Sequence, residues 1–474
     1  MKDEMFDDKG LSALPGLPQP QVSRRSFLGM ALAAPVCGEH AFLECIPVAS
    51  SFRLVYVAPS GDNRNPGTAD RPLATINAAF TRFPDLGAGD VVVVMPGEYR
   101  EAVVVSRGGD ASGNLTLVSN VRHAARIRSP ANSYSAINIV KNYVTVDGFD
   151  VQSGGTGHGI EATFLDGNSQ NNGPHHIVIR NNICHDSAGS GVTVSYGDYY
   201  RIINNVCFGN CATNAYQGSG ISVYEARAVD GADGVIGTRI VVASNTCYSN
   251  TALTLPGNVP HSDGNGIIID DLRNTQKPNP AGSYRFKTLV ENNVCYFNGG
   301  KGIHVFFSDN VTVRNNTCCY NGRDPKNPAT WRGELSNVNS ANTLWVNNIG
   351  VADKRVNSWN AAILDGASGG NSNRSVVWIR NLTFNGQVGD ASVTQSPVNP
   401  TLTAAPPYAN LLGVQPLFVR GGPGQINPDF RLRPSSPARN AGTTEKGAPR
   451  FDRVGTRRND QGRPDIGAFE YTRN

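Results

Sequence analysis

The chain has 474 residues, with 52 glycines, 29 prolines, 8% aromatic and 17% charged residues. A net charge of +4 is too small to argue for nucleic-acid binding, though a mildly basic surface is compatible with an acidic polymer. Few strong helix formers occur in runs, and the glycine-rich profile suits many short strands joined by tight turns.

The first element in chain order is a processing signal. The twin arginine Arg24-Arg25 precedes an apolar segment over 27–36 that is too short to span a bilayer. The pattern predicts twin-arginine (Tat) export of a folded protein, secreted or periplasmic, with residues 1–50 as signal peptide and flexible N-terminus. Nothing later is long and apolar enough for a membrane span. Residues 51–474 then read as one domain, expected to be a monomer. "PLATINAAF" (72–80) predicts a short helix, and "GDVVVVMPGEYRE" (89–101) holds an apolar strand.

From residue 180 an internal repeat takes over. "RNNICH", "INNVCF", "ASNTCY", "ENNVCY" and "RNNTCC" place Cys184, Cys207, Cys247, Cys295 and Cys318 at equivalent positions, and "VNNIG" is a worn copy with Asn347 and Asn348. Cys184 to Cys207 and Cys295 to Cys318 are each 23 residues; the intervals around Cys247 are 40 and 48. The longer intervals hold insertions at 227–238 and 273–287. Between the copies lie "GIEATF", "GVTVSY", "GISVYE", "GIIIDD" and "GIHVFF", each a glycine followed by two-residue alternation. A unit this small must stack on copies of itself, and three-sided parallel coils do so. The asparagines should then bond along a turn and the cysteines should form an inward column of buried thiols. The cysteine spacing is not that of a zinc site.

The segment 56–101 resembles the N-terminal part of secreted right-handed parallel β-helix proteins of the pectate-lyase-like superfamily. The closing "NPDFRLRPSSPARNAG" and "RPDIGAFEY" look like the end of the same bacterial proteins. The resemblance implies an all-β, single-stranded right-handed β-helix of about ten coils with a helix capping one end. The first segment is most similar to family-nine polysaccharide lyases, which use aspartate-bound calcium and a lysine base on acidic polysaccharides. Other members of the superfamily are hydrolases, epimerases, fructotransferases or non-catalytic tailspikes, so fold alone does not choose a function.

"HSDGNGIIIDD" (261–271) carries the densest set of chemical groups. Strand parity puts Ile267 and Ile269 inward and Ile268 and Asp270 outward, and extends the outward column to Glu161, Tyr224, His304 and Phe306. His158, Gln217, His261, Asp263 and Lys301 precede the strands at one rim; Glu225 and Asp271 follow them at the other, with Arg273 just beyond. For β-elimination, calcium on Asp263, Asp270, Asp271 and Glu225 would neutralise a uronate carboxylate, although the spacing is not that of an EF-hand. His304 or Lys301 would be the base, Tyr224 would be the donor to the leaving oxygen, Asp270 would act through the calcium set or, in a hydrolase, as a carboxyl paired with Glu225, and Glu161, His158, His261, Arg273 and Phe306 would bind substrate. The family's lysine position is occupied here by His304. Two alternatives stay open. A hydrolase would use paired carboxylates about 5 Å apart for retention or roughly 6.5–9.5 Å for inversion. A non-catalytic glycan-binding protein would use the aromatic residues as platforms.

Overall fold

The structure is a computed structural model that describes residues 52–473 except 165–171, 217, 230–236, 256, 258, 260, 277–281, 328–331, 368–372 and 460–461. The twin-arginine segment and Gln217 therefore lie outside the described residues, as do parts of both insertions.

Each coil runs through three strands, and the coils stack into three parallel sheets of eleven, ten and ten strands, matching the expected coil number. The first sheet starts at Leu54–Val57 and ends at Val377–Ile379; the second runs from Gly97–Tyr99 to Leu382–Phe384; the third from Val103–Val105 to Val393–Ser396. The helix Ile76–Arg82 buries Ile76, Ala78, Ala79 and Phe80 over the open N-terminal end. Its first amides, those of Ile76 and Asn77, donate to the Glu101 carboxylate at 2.7 and 3.0 Å, which satisfies donors that a helix start leaves open.

The repeat makes sense residue by residue. The first position of the pair in each copy, asparagine except for Ser244, takes the left-handed turn conformation (φ 58 at Asn181, 56 at Asn204, 57 at Ser244) between the first and second sheets. The second points inward. Asn182, Asn205, Asn245, Asn293, Asn316, Asn348, Asn381 and Asn410 form a buried ladder; from Asn205 on, each Oδ1 accepts from the backbone and side-chain amides of the asparagine before it, and Asn182 Oδ1 accepts the Phe149 amide. The five cysteines pair directly in register and are wholly buried as free thiols. Burial pushes the Cys184, Cys247 and Cys318 thiols up. On the outer face beside them, His185, Phe208, Tyr248 and Tyr296 stack with centroids 5.1, 4.9 and 4.9 Å apart.

A second ladder stands at the corner between the second and third sheets: Ser187, Asn210, Asn250, Asn298, Asn321 and finally Glu334. The glycine that opens each third-sheet strand is fixed by this corner. A β-carbon on Gly302 would lie 2.9 Å from Cys318 Sγ and 2.5 Å from a backbone oxygen. One coil on, Glu334 occupies the glycine position, and Gly350 occupies the cysteine position next to Cys318. The worn copy is thus a compensated exchange, since losing the thiol makes room for a carboxyl side chain.

Burial pushes the Glu334 carboxyl up to about 8 from an ordinary 4.5, against hydrogen bonds from Asn321 that favour the charged form. The folded state therefore keeps a proton that the unfolded chain releases, and stability falls as pH rises from about 4.5 to about 8. Glu334→Gln removes this dependence. Relative to wild type the variant should gain on the order of 5 kcal/mol across that window, whatever its constant offset, in denaturant melts at several pH values. Parallel curves for the two proteins would mean that Glu334 is ionised in the fold.

The C-terminal segment folds back along the outside of the second sheet. Phe418, Phe430, Leu432, Ile466 and Ala468 pack on Ile349, Val351, Leu382 and Phe384. Its hydrogen bonds land on successive coils: Asn347 Nδ2 on the Thr443 carbonyl, Asn315 Nδ2 on the Asp465 carbonyl, Arg458 on Asn292, and Arg453 on Thr246.

Candidate active site

The three sheets do not meet solvent alike. On the first and second sheets the outward side chains are partly exposed, as in Ile177–Arg180 and Val206–Phe208. On the third sheet they are covered: every residue of Val192–Ser195 is buried, and Ile303–Phe306 leaves only Phe306 partly open. The excursions that enter and leave each third-sheet strand wall this face. Their described parts are residues 249–255, 257, 259, 261–264, 320–327 and 332 on one side, and 225–229, 237, 271–276 and 282–286 on the other. A recessed floor with loop walls is where a polymer-cleaving site belongs.

The register bears out the parity reading. One outward column is Glu161, Thr193, Ser222, Ile268, His304 and Ser336; the next is Ser195, Tyr224, Asp270, Phe306 and Val338. At the leading rim, Ser135, His158, Ser190, Ser219, Asn265 and Lys301 form a polar ladder that ends on the lysine.

Three groups in the middle coils have displaced protonation. Burial, then the charges of Asp263 and Asp271, hold Asp270 well above the usual carboxylate range, although Gln276 donates to it at 2.7 Å. Burial lowers Lys301, while Asp263 (3.7 Å from Nζ) opposes the shift. Burial, then the Lys301 charge, holds His304 well below its ordinary value. His304 stacks on Phe306 at 5.3 Å, and its Nδ1 lies 2.9 Å from the Ser336 hydroxyl. Asp263 is itself raised, by burial first.

Other expected residues are placed differently. Asp271 and Glu225 occupy the left-handed position that ends each strand (φ 48 and 42), where strand parity no longer sets the side-chain direction. The Asp271 carboxylate is spent on the turn, accepting from the Thr275 and Gln276 amides and the Thr275 hydroxyl. Glu225 is 1% exposed and accepts the Tyr224 hydroxyl at 2.5 Å, and its charge is among those that raise Asp270. Tyr224 is therefore not poised to protonate a leaving oxygen; burial and then that hydrogen bond hold its hydroxyl well above its ordinary value. Arg273 is forked onto Asp309 at 2.8–3.0 Å and makes a wall contact rather than an open anion site. Among the described residues no group of three or more His, Cys, Asp or Glu side chains stands where it could hold a metal ion. The expected calcium set does not fit this arrangement.

At the N-terminal end of the groove, Glu161 accepts the Ser135 hydroxyl at 2.8 Å and is raised by burial. His158 accepts the Ser190 amide on Nδ1, and burial pushes it down to about 4. His261 is not on the sheet. It lies in the 249–264 excursion, with Nδ1 2.7 Å from the buried carboxylate of Asp324. Sequence reasoning missed Asp324, because 63 residues separate it from His261 and it belongs to no repeat.

Among solved structures, the chain is similar to pectate lyase Pel9A at 16% identity, over 90% of this chain and 98% of that one, with a TM-score of 0.47. It is similar to XylC in complex with xylose at 11% identity, over 89% and 99%, with a TM-score of 0.44. It is similar to a GH136 lacto-N-biosidase from Eubacterium ramulus at 15% identity, over 72% and 57%, with a TM-score of 0.39. No curated protein matches the chain. The family model for the Pel9A-like, right handed beta helix region matches residues 55–332, well over half of the sequence. The chain belongs to that family of right-handed β-helix proteins.

Proposed function

We propose that the chain cleaves an acidic polysaccharide by β-elimination in the groove over the third sheet, after export through the twin-arginine signal. One observation carries the reading. Asp270, Lys301 and His304 stand together, and the surroundings push each toward its neutral form. A carboxyl group pushed toward its protonated form beside nitrogens pushed toward their neutral forms is the arrangement that paired proton transfers use. In this role Asp270 gives its proton to the leaving glycosidic oxygen, Lys301 and His304 face the uronate, and Phe306 supports a sugar ring. Membership in a family named for Pel9A, a pectate lyase, supports the same chemistry.

The second reading is hydrolysis, favoured by one pairing. Asp263 is the charge that most raises Asp270, and Lys301 beside it favours its ionised form. Asp270 would then be the acid and Asp263 the base.

A panel of uronate polymers separates the two. Elimination is expected to give a steady rise in ultraviolet absorbance from a new C4=C5 double bond. The rise should survive EDTA, because Asp271 and Glu225 are already committed elsewhere. New reducing ends without that absorbance would establish hydrolysis, and neither signal on any polymer would refute both readings. Loss of the rise with EDTA, restored by calcium, would return the metal to the site.

A further inference from the structure

Three histidines border the groove, and their hydrogen bonds set different proton states. His158 Nδ1 accepts a backbone amide proton at 2.8 Å, so in the neutral ring the proton sits on Nε2 and the ring can only donate. His304 Nδ1 is engaged with Ser336, and burial beside Lys301 makes the ring a weak base. His261 Nδ1 faces a carboxylate, which can only accept, so Nδ1 carries the proton and Nε2 is the acceptor nitrogen. Lys301 donates from Nζ to the Ser262 carbonyl at 2.7 Å and lies beside Asp263, so its ammonium is engaged next door to His261.

The mount for His261 is rigid. Asp324 is 2% exposed, and its other oxygen accepts the Lys326 amide at 2.8 Å. Arg332 bridges the carbonyls of Asp324 and Asn327, and Asn327 Nδ2 donates to the Ser262 carbonyl. The two excursions that carry His261 and Asp324 are thus clamped to each other and to Lys301. His261 lies two residues before Asp263, whose charge acts on Asp270. Asp324 faces the ring; Lys326 lies two residues beyond it with Nζ on the Leu253 carbonyl, Asp263 lies two residues after His261, and Lys301 reaches the Ser262 carbonyl from the next coil.

We infer that His261 is the base that takes the C5 proton of the uronate, and that Asp324 is the positioning residue that fixes its tautomer. This assignment rests on the elimination reading above. The Nε2 lone pair takes the C5 proton, and the C5–H electrons become the C4=C5 bond. The C4–O4 bond breaks toward oxygen, which takes the Asp270 proton. Water then carries a proton from the imidazolium back to the Asp270 carboxylate, so no other reactant is needed.

The test has two readouts. The first is the imidazole nitrogen spectrum of uniformly folded, ¹⁵N-histidine-labelled protein, with His261→Gln supplying the assignment. Wild type should show Nδ1–H and a bare Nε2 at His261, and Asp324→Asn should mix or reverse the tautomer. The second is turnover on whichever polymer gains absorbance. His261→Gln should lower kcat by about 100-fold or more with KM little changed. Asp324→Asn should lower kcat less, again at unchanged KM, and melting curves should show both variants folded. An Nε2–H tautomer in wild type, or a folded His261→Gln that cleaves at the wild-type rate, overturns the assignment while leaving elimination intact. A wild-type protein that never gains absorbance overturns elimination itself, and the assignment with it.

Discussion

Replacing Asp270 with asparagine is expected to lower turnover by about 10²- to 10⁴-fold, with KM and melting temperature close to wild type. Asp270 is outward on the recessed sheet, between Tyr224 and Phe306 in register. Burial and the charges of Asp263 and Asp271 push its carboxyl toward the protonated form. Asparagine preserves the shape and still accepts from Gln276, which donates to Oδ1 at 2.7 Å, but has no acidic proton to give. The change also removes a group that repels its neighbours when charged, so stability should not suffer. The outcome is the same for elimination and for hydrolysis, because Asp270 serves the leaving oxygen in both. A variant that turns over normally would remove Asp270 from the chemistry.

The largest effect on stability is expected from the inner asparagine ladder. Asn245 Oδ1 accepts from the backbone and side-chain amides of Asn205 at 2.9 and 3.1 Å, and its own Nδ2 donates to the Ile202 carbonyl and to Asn293 Oδ1. Leucine at this position is close in size but leaves two buried donors on Asn205 without their acceptor. Each such group costs about 1–3 kcal/mol, so Asn245→Leu should cost roughly 2–6 kcal/mol in denaturant melts. The matched control is Asn204→Gly. Asn204 is exposed and left-handed, its Nδ2 reaches only the Asn181 side chain, and glycine adopts the same turn without strain. A loss similar to that of Asn245→Leu would show that the two asparagines are not the structural opposites described above.

Much of this was legible in the sequence because stacking imposes equivalence. The cysteines had to form a column once their spacing matched that of the asparagines, and the alternation in "GIIIDD" and "GIHVFF" fixed which side chains reach the groove. The second ladder was legible too, since Asn210, Asn250, Asn298 and Asn321 each lie three residues after a repeat cysteine. Residues just past the strand ends were misplaced for a physical reason. Asp271 and Glu225 follow the parity of a strand only while the chain remains extended, and both sit where it turns left-handed. Periodicity also cannot show pairings between excursions from different coils. His261 and Asp324 meet because two unrelated loops leave the same corner, and no spacing rule connects them. Arg273 was likewise visible as a cation, but its forked partner Asp309 was not.

The returning C-terminal segment changes the mechanics of the stack. Coils that touch only their immediate neighbours are free to fray one at a time from an end. Here a single length of chain is fastened to Thr246, Asn292, Asn315 and Asn347 in turn, like a spine sewn across the edges of pages. The coils beneath it, which include the Asp270 and His304 strands, can loosen only together. The N-terminal coils, from Val103–Val105 to Val192–Ser195, keep the independence of an unbound stack.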